Sequence, residues 1–457
     1  MKLYIDPGTG SMLFTILIGV LGALVYFFRN ALMKLKFTLT GGKKAKTDGS
    51  EIPVVIFTDS KRYWNLFRPI CEELEKRKQK ALYLTASEDD PALSANYEFV
   101  KTEFAGSGNR AFARMNMIRA DVVLSSTPGL DVYQWKRSRD VKKYVHIPHG
   151  IYDFGTYRMF GLDYYDTVLL AGPFQGNTVR ATERERALPE KELRVVGMPY
   201  MDEMLKRALA DRAGMADAAQ SGSGRSGSGD PQNGSDKPGT SDSPASAPTV
   251  LLAPSWGKSA ILSRYGEKIF EALLKTEYHI IVRPHPQSFT SEAELMERLQ
   301  AKYPDSDRLE WDRKSDNYDS LSRADVLISD FSGVVFDYAF VFEKPVIYAD
   351  TSFDPKPYDA SWVEGPMWHE TVLPKIGVQL TEENAENIGE VIRECLDSGE
   401  LKENIRKVRE ESWQCIGQSA EKVVDYLVEV VEAEGQSDSV HSDAQPQDTR
   451  LSGAKLC

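Results

Sequence analysis

The chain has 457 residues, enough for two ordinary domains with additional segments, and its apolar (41%) and charged (27%) fractions are typical of a soluble globular protein. The formal net charge of −12 argues against a nucleic-acid-binding protein, because it implies no broad basic surface. The four cysteines lack C-x-x-C spacing, which indicates neither a zinc site nor a disulfide framework and fits a reducing compartment.

An uncharged apolar run, Met12–Phe28, opens the chain and would span roughly 26 Å as a helix, near the lower limit for crossing a membrane. A signal peptide is the alternative, but its positive charge should precede the apolar run. Here the basic residues follow it, between Arg29 and Lys46, where they can lie against anionic lipid headgroups. We therefore predict a single-pass anchor in the cell membrane over residues 1–46, with the body of the protein in the cytoplasm.

From Ile52 onward, short apolar segments alternate with helical ones, which is typical of parallel sheets covered by helices on both faces. The first series of predicted strands comprises Pro53–Phe57, Ala81–Leu84, Val122–Leu124, Tyr144–Ile147, Thr167–Leu170 and Arg194–Val196. The second series comprises Thr249–Ala253, His279–Val282, Val326–Ser329 and Val346–Tyr348.

Two polar segments interrupt or follow this alternation of strands and helices. Residues 214–248 are rich in Gly, Ser, Pro and Asp, which predicts a flexible linker, and residues 434–457 are predicted to be a disordered tail. Two doubly wound α/β domains are therefore expected, at 50–213 and 249–433. Their facing strand ends should form the ligand cleft.

Polar segments follow several predicted strands directly, where an open α/β sheet binds its ligands. After the Tyr144–Ile147 strand, Gly150 would allow a sharp turn that exposes His149, a candidate general base; a turn-stabilising role is the commoner fate of a single histidine. His146, inside the strand, is predicted to pack. After Thr249–Ala253 come Ser255, which can cap the next element, Trp256, which can pack or stack, and Lys258, which can bind a phosphate.

A phosphate site is predicted from two further segments. Arg283 and His285 alternate with prolines that hold their turn rigid, and arginine is the preferred bidentate partner of phosphate. The turn that includes Ser329, Asp330, Ser332 and Gly333 opens a helix, whose free N–H groups favour an anion. A simple N-cap by Asp330 or Ser332 is the alternative.

Acidic residues near these segments are less specific. Asp337, one turn into the helix, can reach a ligand hydroxyl or can be a solvated or paired acid. The aspartate-rich run Asp312–Asp319 lacks EF-hand spacing and is interpreted as a solvated loop.

Five motifs together give the chain a family resemblance. They are H-G at His149–Gly150, G-x-P-x-x-D at Gly197–Asp202, P-[ST]-W at Pro254–Trp256, R-x-H-P at Arg283–Pro286 and S-D-[FY]-S-x-x-x-F-D at Ser329–Asp337. With them the chain resembles the CDP-glycerol glycerophosphotransferase family of teichoic-acid-type primases and polymerases, over roughly Pro53–Val430 without the linker. The resemblance implies two Rossmann-like domains of the GT-B type, the first for the acceptor and the second for the CDP-activated donor. It also implies transfer of a polyol phosphate to an acceptor hydroxyl with release of CMP.

The resemblance also implies roles for individual residues. His149 would deprotonate the acceptor hydroxyl, His285 with Arg283 would contact the donor pyrophosphate, and Asp337 would bind the polyol or nucleotide side. Amides at Ser332 and Gly333 would hold the phosphates. The remaining substrate-binding candidates are Gly150, Ser255, Trp256, Lys258, Ser329 and Asp330.

The expected partners are CDP-glycerol or a related CDP-polyol, a lipid-linked or membrane-borne acceptor and the membrane itself, with no nucleic acid. No metal or other cofactor is expected, because cations and a helix N-terminus can neutralise the developing charge.

The chain departs from the family pattern at three places. Ile151–Phe154 replaces a Pro-Leu-Lys-like segment, Gly257-Lys258 replaces an arginine after P-[ST]-W, and Gly333 replaces a serine. These departures leave the acceptor and the exact polyol open. A GT-B glycosyltransferase or epimerase that uses a nucleotide sugar is the main alternative, and a catalytically silent, membrane-anchored binding protein is a second.

Overall fold

The computed structural model describes residues 52–222, 247–314, 316–330, 332–349 and 355–442. The predicted membrane span Met12–Phe28, its basic flank, residues 223–246 of the predicted linker and the end of the predicted tail lie outside these ranges. Within them, none of the helices combines the length and the apolar character that crossing a membrane requires.

A first sheet of seven parallel strands has the order β3-β2-β1-β4-β5-β6-β7. Every strand predicted from Ile52 to Val196 is found in this sheet, and β3 is additional: its polar positions at the sheet edge interrupt the apolar signal. The strand Ile52–Thr58, inside the sheet, is buried at its last five positions, which explains its continuous apolar run. The strands are β1 Ile52–Thr58, β2 Ala81–Thr85, β3 Val100–Phe104, β4 Ala120–Ser125, β5 Val141–His146, β6 Thr167–Leu170 and β7 Glu192–Val195.

The second sheet has six parallel strands in the order β10-β9-β8-β11-β12-β13, the order of a doubly wound dinucleotide-binding fold. All four predicted strands of this half are found. The two that the sequence did not indicate, β10 and β13, are edge strands of three and four residues with little apolar pattern. The strands are β8 Thr249–Leu252, β9 His279–Val282, β10 Leu309–Trp311, β11 Val326–Ser329, β12 Val346–Ala349 and β13 Gly377–Leu380.

Helices connect the strands and cover the sheets. They are α1 Trp64–Lys76, α2 Asn109–Met115, α3 Phe174–Arg186, α4 Pro199–Gly222, α5 Ile261–Tyr265, α6 Glu267–Leu274, α7 Ser288–Ser291, α8 Ala293–Lys302, α9 Tyr318–Arg323, α10 Val334–Phe342, α11 Trp368–Ile376, α12 Ile388–Asp397, α13 Gly399–Ser412 and α14 Ser419–Ser442. Short 3₁₀ helices lie at Lys61–Tyr63, Pro91–Ser94, Phe154–Thr156, Asp359–Trp362 and Ala385–Asn387.

The last helix, α14, packs against α1, β1 and β4 of the first sheet, although its sequence position lies within the predicted second domain. Its buried face joins a hydrophobic cluster that includes residues of β1 and β4, and the Tyr426 hydroxyl lies 2.7 Å from the Thr167 hydroxyl and donates to Glu192. The chain breaks between α13 and α14 because Cys415 and Gly417 adopt left-handed backbone angles. A single amphipathic run thus becomes two helices on different halves.

The predicted linker begins inside a helix, since α4 continues from Pro199 to Gly222. Helix α4 contacts α1 of the first half and α10 of the second. The first residues of the segment 214–248 therefore belong to the helix that connects the two sheets.

Both sheets belong to one compact unit that begins at Ile52, and a segment after β12 contributes to their contact. The backbone N–H of Trp368 donates to Asp153 at 3.0 Å, and the Trp368 ring stacks on Phe174 at 4.0 Å between centres. On the same side, buried Arg186 of α3 forms ion pairs with Asp163 and with Asp359. These contacts hold the segment 355–368 against the first half.

Candidate active site

His149 lies directly beyond β5, at the carboxyl edge of the first sheet, as predicted. Its ring packs against the Tyr63 ring at 4.7 Å between centres, and the Tyr152 hydroxyl lies 3.0 Å from Nδ1 and 3.3 Å from Nε2. Burial, and then the nearby positive charge of Arg62, lowers the pKa of His149 to about 4. The imidazole is therefore neutral at pH 7 and has a lone pair that can accept a proton.

The contacts of His149 continue into the core. The hydroxyls of Tyr152 and Tyr157 lie 3.1 Å apart, and the Tyr157 hydroxyl lies 2.8 Å from Nε2 of His146. His146 is fully buried, as the packing prediction requires, but it is also a polar partner. Neither tyrosine was indicated by the sequence, because no motif joins these residues.

Gly150 has a different role from the predicted sharp turn. It is absent from the described residues with positive φ, and a Cβ at this position would lie 2.7 Å from Cε1 of Tyr152. The missing side chain therefore makes room for the Tyr152 ring that contacts His149. Gly150 is buried, so it serves the site through packing.

Arg62, which sequence reasoning missed, follows β1 in the short helix Lys61–Tyr63. Its Nε donates to the Ser60 hydroxyl at 3.0 Å, and the side chain is exposed. Its positive charge lowers the pKa of both His149 and His285, which places this cation near histidines of both halves. The strand order of the first sheet reverses between β1 and β4, and ligands of such sheets bind at this point. The position of Arg62 directly after β1 is therefore the signal that could have identified it.

The N-terminus of α10 has no side-chain cap. Gly333 is the N-cap residue, with φ −60° and ψ −20°, and among the described residues no side chain caps this end of the helix. The alternative of an N-cap by Asp330 or Ser332 is therefore wrong. The exposed start of this nine-residue helix leaves amide donors at the positive end of the dipole, where an anion is favoured.

Asp330 instead points into the second half. Its carboxylate accepts from the backbone N–H groups of Ser255, at 2.9 and 3.1 Å, and of Ile261, at 3.0 Å. Burial raises the pKa of Asp330, and these hydrogen bonds offset part of the rise. The Ser329 hydroxyl is also used internally, because it donates to the Ala253 carbonyl at 2.6 Å.

Three predicted ligand contacts thus become supports of the site. Asp330 is 2% exposed and Ser329 is 0% exposed, and their side chains join the ends of β8 and β11; Ser255 is buried and takes part through its backbone N–H. They hold the two turns that flank the uncapped helix.

The two halves meet at Gly333 and Tyr152. A Cβ on Gly333 would lie 4.0 Å from Cδ1 of Tyr152, so the ring beside His149 lies next to the start of α10. Both residues are departures from the family pattern, and the structure places them against each other. The candidate base and the candidate phosphate site are therefore neighbours, with the Tyr152 ring between them.

His285 accepts a hydrogen bond at Nδ1 from the Gln287 backbone N–H, at 3.1 Å. The neutral ring therefore carries its proton on Nε2, which is a donor. Burial, and then Arg62, lowers the pKa of His285, so this donor is neutral at pH 7 rather than charged. Trp256, 45% exposed, lies 6.4 Å from the His285 ring, and Lys258 is exposed on the same turn. Gly257 between them has φ +97°, which glycine adopts without strain.

Arg283 is engaged inside the second half. Its Nη1 donates to Asp312 at 2.6 Å and its Nη2 donates to the Lys314 carbonyl at 2.8 Å. Asp312 is buried, so the interpretation of Asp312–Asp319 as a solvated loop is wrong at its first residue. A phosphate contact by Arg283 stays a prediction. The same guanidinium already binds the loop that starts at Asp312.

Asp337 accepts a hydrogen bond from the Tyr200 hydroxyl, at the start of α4. Burial raises the pKa of Asp337 to about 7, and the Tyr200 hydrogen bond limits the rise. Of the alternatives left open by the sequence, the structure favours the paired acid.

Comparisons with known proteins agree with this architecture. The sequence profile of the CDP-glycerol:poly(glycerophosphate) glycerophosphotransferase family matches residues 55–429. No curated protein sequence matches the chain. A solved structure of the wall teichoic acid polymerase TagF is similar, with 15% identity over 90% of this chain and 99% of the other, and a TM-score of 0.53. The UDP-GlcNAc 2-epimerase of Methanocaldococcus jannaschii, in complex with UDP-GlcNAc and UDP, has 15% identity over 82% and 99%, with a TM-score of 0.52.

These structural likenesses show the GT-B-like fold alone, since both a polymerase and an epimerase share it. The family profile distinguishes between these two kinds of enzyme, because its match extends from β1 into α14 and includes all five motifs. The protein belongs to the CDP-glycerol:poly(glycerophosphate) glycerophosphotransferase family and is an enzyme of this type, as the motifs predicted.

Proposed function

We propose that the protein transfers glycerol phosphate, or a similar polyol phosphate, from a CDP-activated donor to a hydroxyl of a cell-envelope or lipid-linked acceptor. CMP is the second product, and the growing product is a teichoic-acid-like polymer. The apolar run Met12–Phe28 would hold the enzyme in the cell membrane as a single-pass protein with its catalytic body in the cytoplasm. Family membership supports the reaction class, and the sequence pattern supports the anchor.

One observation carries the proposal: a neutral histidine and an uncapped helix N-terminus both lie next to Tyr152. Tyr152 contacts His149 through its hydroxyl and lies next to Gly333 through its ring. A general base for a hydroxyl group and an anion site for a phosphate are the two groups that this transfer needs. They come from different sheets, so the acceptor can bind on the side of the first sheet and the donor on the side of the second.

In the proposed reaction, His149 takes the proton of the acceptor hydroxyl as its oxygen attacks the β-phosphorus of the donor. The bond between that phosphorus and the oxygen of CMP breaks in line with the attack. Negative charge that develops on the phosphoryl oxygens is met by the amides of α10, worth about 1 kcal/mol for a favourably placed anion, and by Nε2–H of His285. Positioning and charge neutralisation supply most of the rate enhancement.

The donor nucleotide would lie over the ends of β8 and β11. The strand order reverses there, which is where doubly wound sheets bind nucleotides. Trp256 offers an exposed ring and Lys258 a cation at this edge, so both remain proposed substrate contacts. Asp330, Ser329 and Ser255 would act by keeping this edge in place.

The decisive experiment measures nucleotide release by the full chain in lipid nanodiscs. CDP-glycerol, CDP-ribitol and UDP-sugars are offered separately with a membrane acceptor fraction, and CMP and UDP are quantified. We expect CMP from a CDP-polyol and no UDP. Turnover of UDP-sugars alone would establish the nucleotide-sugar alternative instead.

Two variants assign the roles. We expect His149→Ala and His285→Ala each to reduce CMP release by at least about 100-fold while the thermal unfolding curve is unchanged. His279→Ala is the matched control, because this histidine lies at the start of β9, at the opposite end of the strand from His285. Near-normal turnover of His285→Ala would remove its phosphate role.

A further inference from the structure

Four side chains form one continuous hydrogen-bonded chain from His149 into the first sheet. The Tyr152 hydroxyl lies 3.0 Å from Nδ1 of His149 and 3.3 Å from Nε2, so Nδ1 is the nearer nitrogen. The Tyr157 hydroxyl lies 3.1 Å from the Tyr152 hydroxyl and 2.8 Å from Nε2 of His146. A catalytic histidine is commonly oriented by a carboxylate that accepts from its second nitrogen. Here a phenol occupies that place.

No carboxylate among the described residues is hydrogen-bonded to His149. Asp153, next to Tyr152 in sequence, is committed elsewhere: it accepts from the N–H of Gly155, the Thr178 hydroxyl and the N–H of Trp368. Asp337 influences Tyr152 electrostatically but is bonded to the Tyr200 hydroxyl. The other groups that face His149 are Arg62 and the Tyr63 ring.

The inner end of the chain is enclosed by aromatic rings. His146 contacts the rings of Phe154, Tyr157 and Tyr165 at 6.2, 5.4 and 5.0 Å between centres, and its Nδ1 is buried without a hydrogen-bond partner among the described residues. A positive charge is strongly disfavoured there, because nothing compensates for the lost water. His146 can accept a hydrogen bond but is a poor final site for a proton.

We propose that Tyr152, Tyr157 and His146 are positioning residues that hold His149 with Nδ1–H directed to Tyr152 and the Nε2 lone pair directed to the acceptor. In this arrangement His149 donates to Tyr152, Tyr152 donates to Tyr157, and Tyr157 donates to Nε2 of His146. The inference rests on the proposed role of His149 and adds how its reactive nitrogen is selected.

The arrangement is consistent with the proton balance of the transfer. The acceptor O–H bond breaks and its proton binds Nε2 of His149, while the new P–O bond forms and the P–O bond to CMP breaks. The imidazolium then shares its charge with the Tyr152 oxygen through Nδ1–H, and the proton leaves from Nε2 to water after product release. The reversed chain, with Tyr152 donating to Nδ1, would put a proton on Nε2 and block the base.

Nuclear magnetic resonance of the full chain tests the arrangement without any activity. With ¹⁵N-labelled histidine there are six residues to resolve, and a His149→Gln variant identifies the signals of His149. At pH 7 we expect a protonated Nδ1 and an unprotonated Nε2, and we expect Tyr152→Phe to shift His149 toward the Nε2–H tautomer. A protonated Nε2 in the unmodified protein, or an unchanged spectrum in Tyr152→Phe, would overturn the proposal.

Kinetics give the second readout. We expect Tyr152→Phe and Tyr157→Phe to lower kcat for CMP release by about 10- to 100-fold, with the donor KM unchanged. Tyr165→Phe is the control: this buried phenol also packs on His146, but its hydroxyl donates to the Thr127 carbonyl outside the chain. An equal loss in Tyr165→Phe would contradict a specific role. Full turnover by His149→Ala would refute the proposed function, whereas the tautomer measurement decides the hydrogen-bond chain independently.

Discussion

The Tyr200 hydroxyl donates a hydrogen bond to the carboxyl group of Asp337, and this contact joins the helix that leaves the first sheet to the helix that starts at the candidate phosphate site. Tyr200 belongs to the G-x-P-x-x-D motif at Gly197–Asp202, and Asp337 is the last residue of the motif at Ser329–Asp337. Two motifs far apart in the sequence therefore support one junction.

The raised pKa of Asp337 makes this junction sensitive to pH. A carboxyl group whose pKa rises from 3.8 to about 7 on folding binds more protons in the native state between these values. Its contribution to stability is therefore complete below about pH 4 and is lost as the pH rises through about 7. Asp337→Asn keeps an acceptor for Tyr200 and removes the titration.

We expect Asp337→Asn to unfold like the unmodified protein near pH 4 and to be more stable at pH 8, by about 2 kcal/mol. This is roughly half of what the shift alone implies, because the side chain is partly exposed. Denaturant unfolding at the two pH values measures the difference. An equal free-energy difference at both would contradict a titrating Asp337.

Arg62 should control the acidic limit of activity. Its positive charge opposes protonation of His149 and of His285, so Arg62→Gln should raise the pKa of both. The acidic limb of kcat/KM against pH then moves to higher pH, and the donor KM rises by about 10-fold if the guanidinium also contacts phosphate.

Lys61→Gln is the matched control, because Lys61 lies in the same short helix but pairs with Asp89. The measurement is a pH profile of CMP release for the three proteins. An unmoved acidic limb in Arg62→Gln would show that its charge does not act on the base.

Gly333→Ser restores the residue that the family pattern favours. Gly333 has ordinary helical angles, and an added Cβ would make normal contact with Tyr152 at 4.0 Å. We expect stability within about 0.5 kcal/mol of the unmodified protein and a donor KM that is equal or lower.

Gly377→Ser provides the contrast, because its Cβ would lie 2.2 Å from the Val346 carbonyl oxygen in the neighbouring strand. This change should cost about 3 kcal/mol. Thermal unfolding and donor titration separate the two variants, and a marked loss of donor binding in Gly333→Ser would show that the space beside Tyr152 is needed.

Arg186→Leu should strongly destabilise the protein. The guanidinium is buried between Asp163 and Asp359, so its removal leaves two carboxylates without a counter-charge, at a cost of about 3–5 kcal/mol. Arg406→Leu, which breaks a surface pair with Glu343, should cost less than about 1 kcal/mol. Denaturant midpoints measure both, and similar losses would contradict the inferred role of the buried cluster.

The amino-acid sequence determined the local elements and the positions of the polar turns. Apolar runs placed ten of the strands, because strands buried on both faces need continuous apolar side chains. The motifs placed His149, His285 and the start of α10 just beyond the carboxyl ends of strands. Open α/β sheets bind their ligands at these ends, whatever the details of side-chain packing.

Only the tertiary structure decided which polar groups remain available to a ligand. Ser329 and Asp330 have the residue types of a ligand site, yet their partners, Ala253, Ser255 and Ile261, lie 69 to 76 positions away in the chain. Tyr152 and Arg62 carried no motif and lie beside His149. A hydrogen bond depends on distance in space, which the order of residues does not specify. The sequence therefore located the sheet edges where the site lies, and the fold decided which side chains at these edges can reach a ligand.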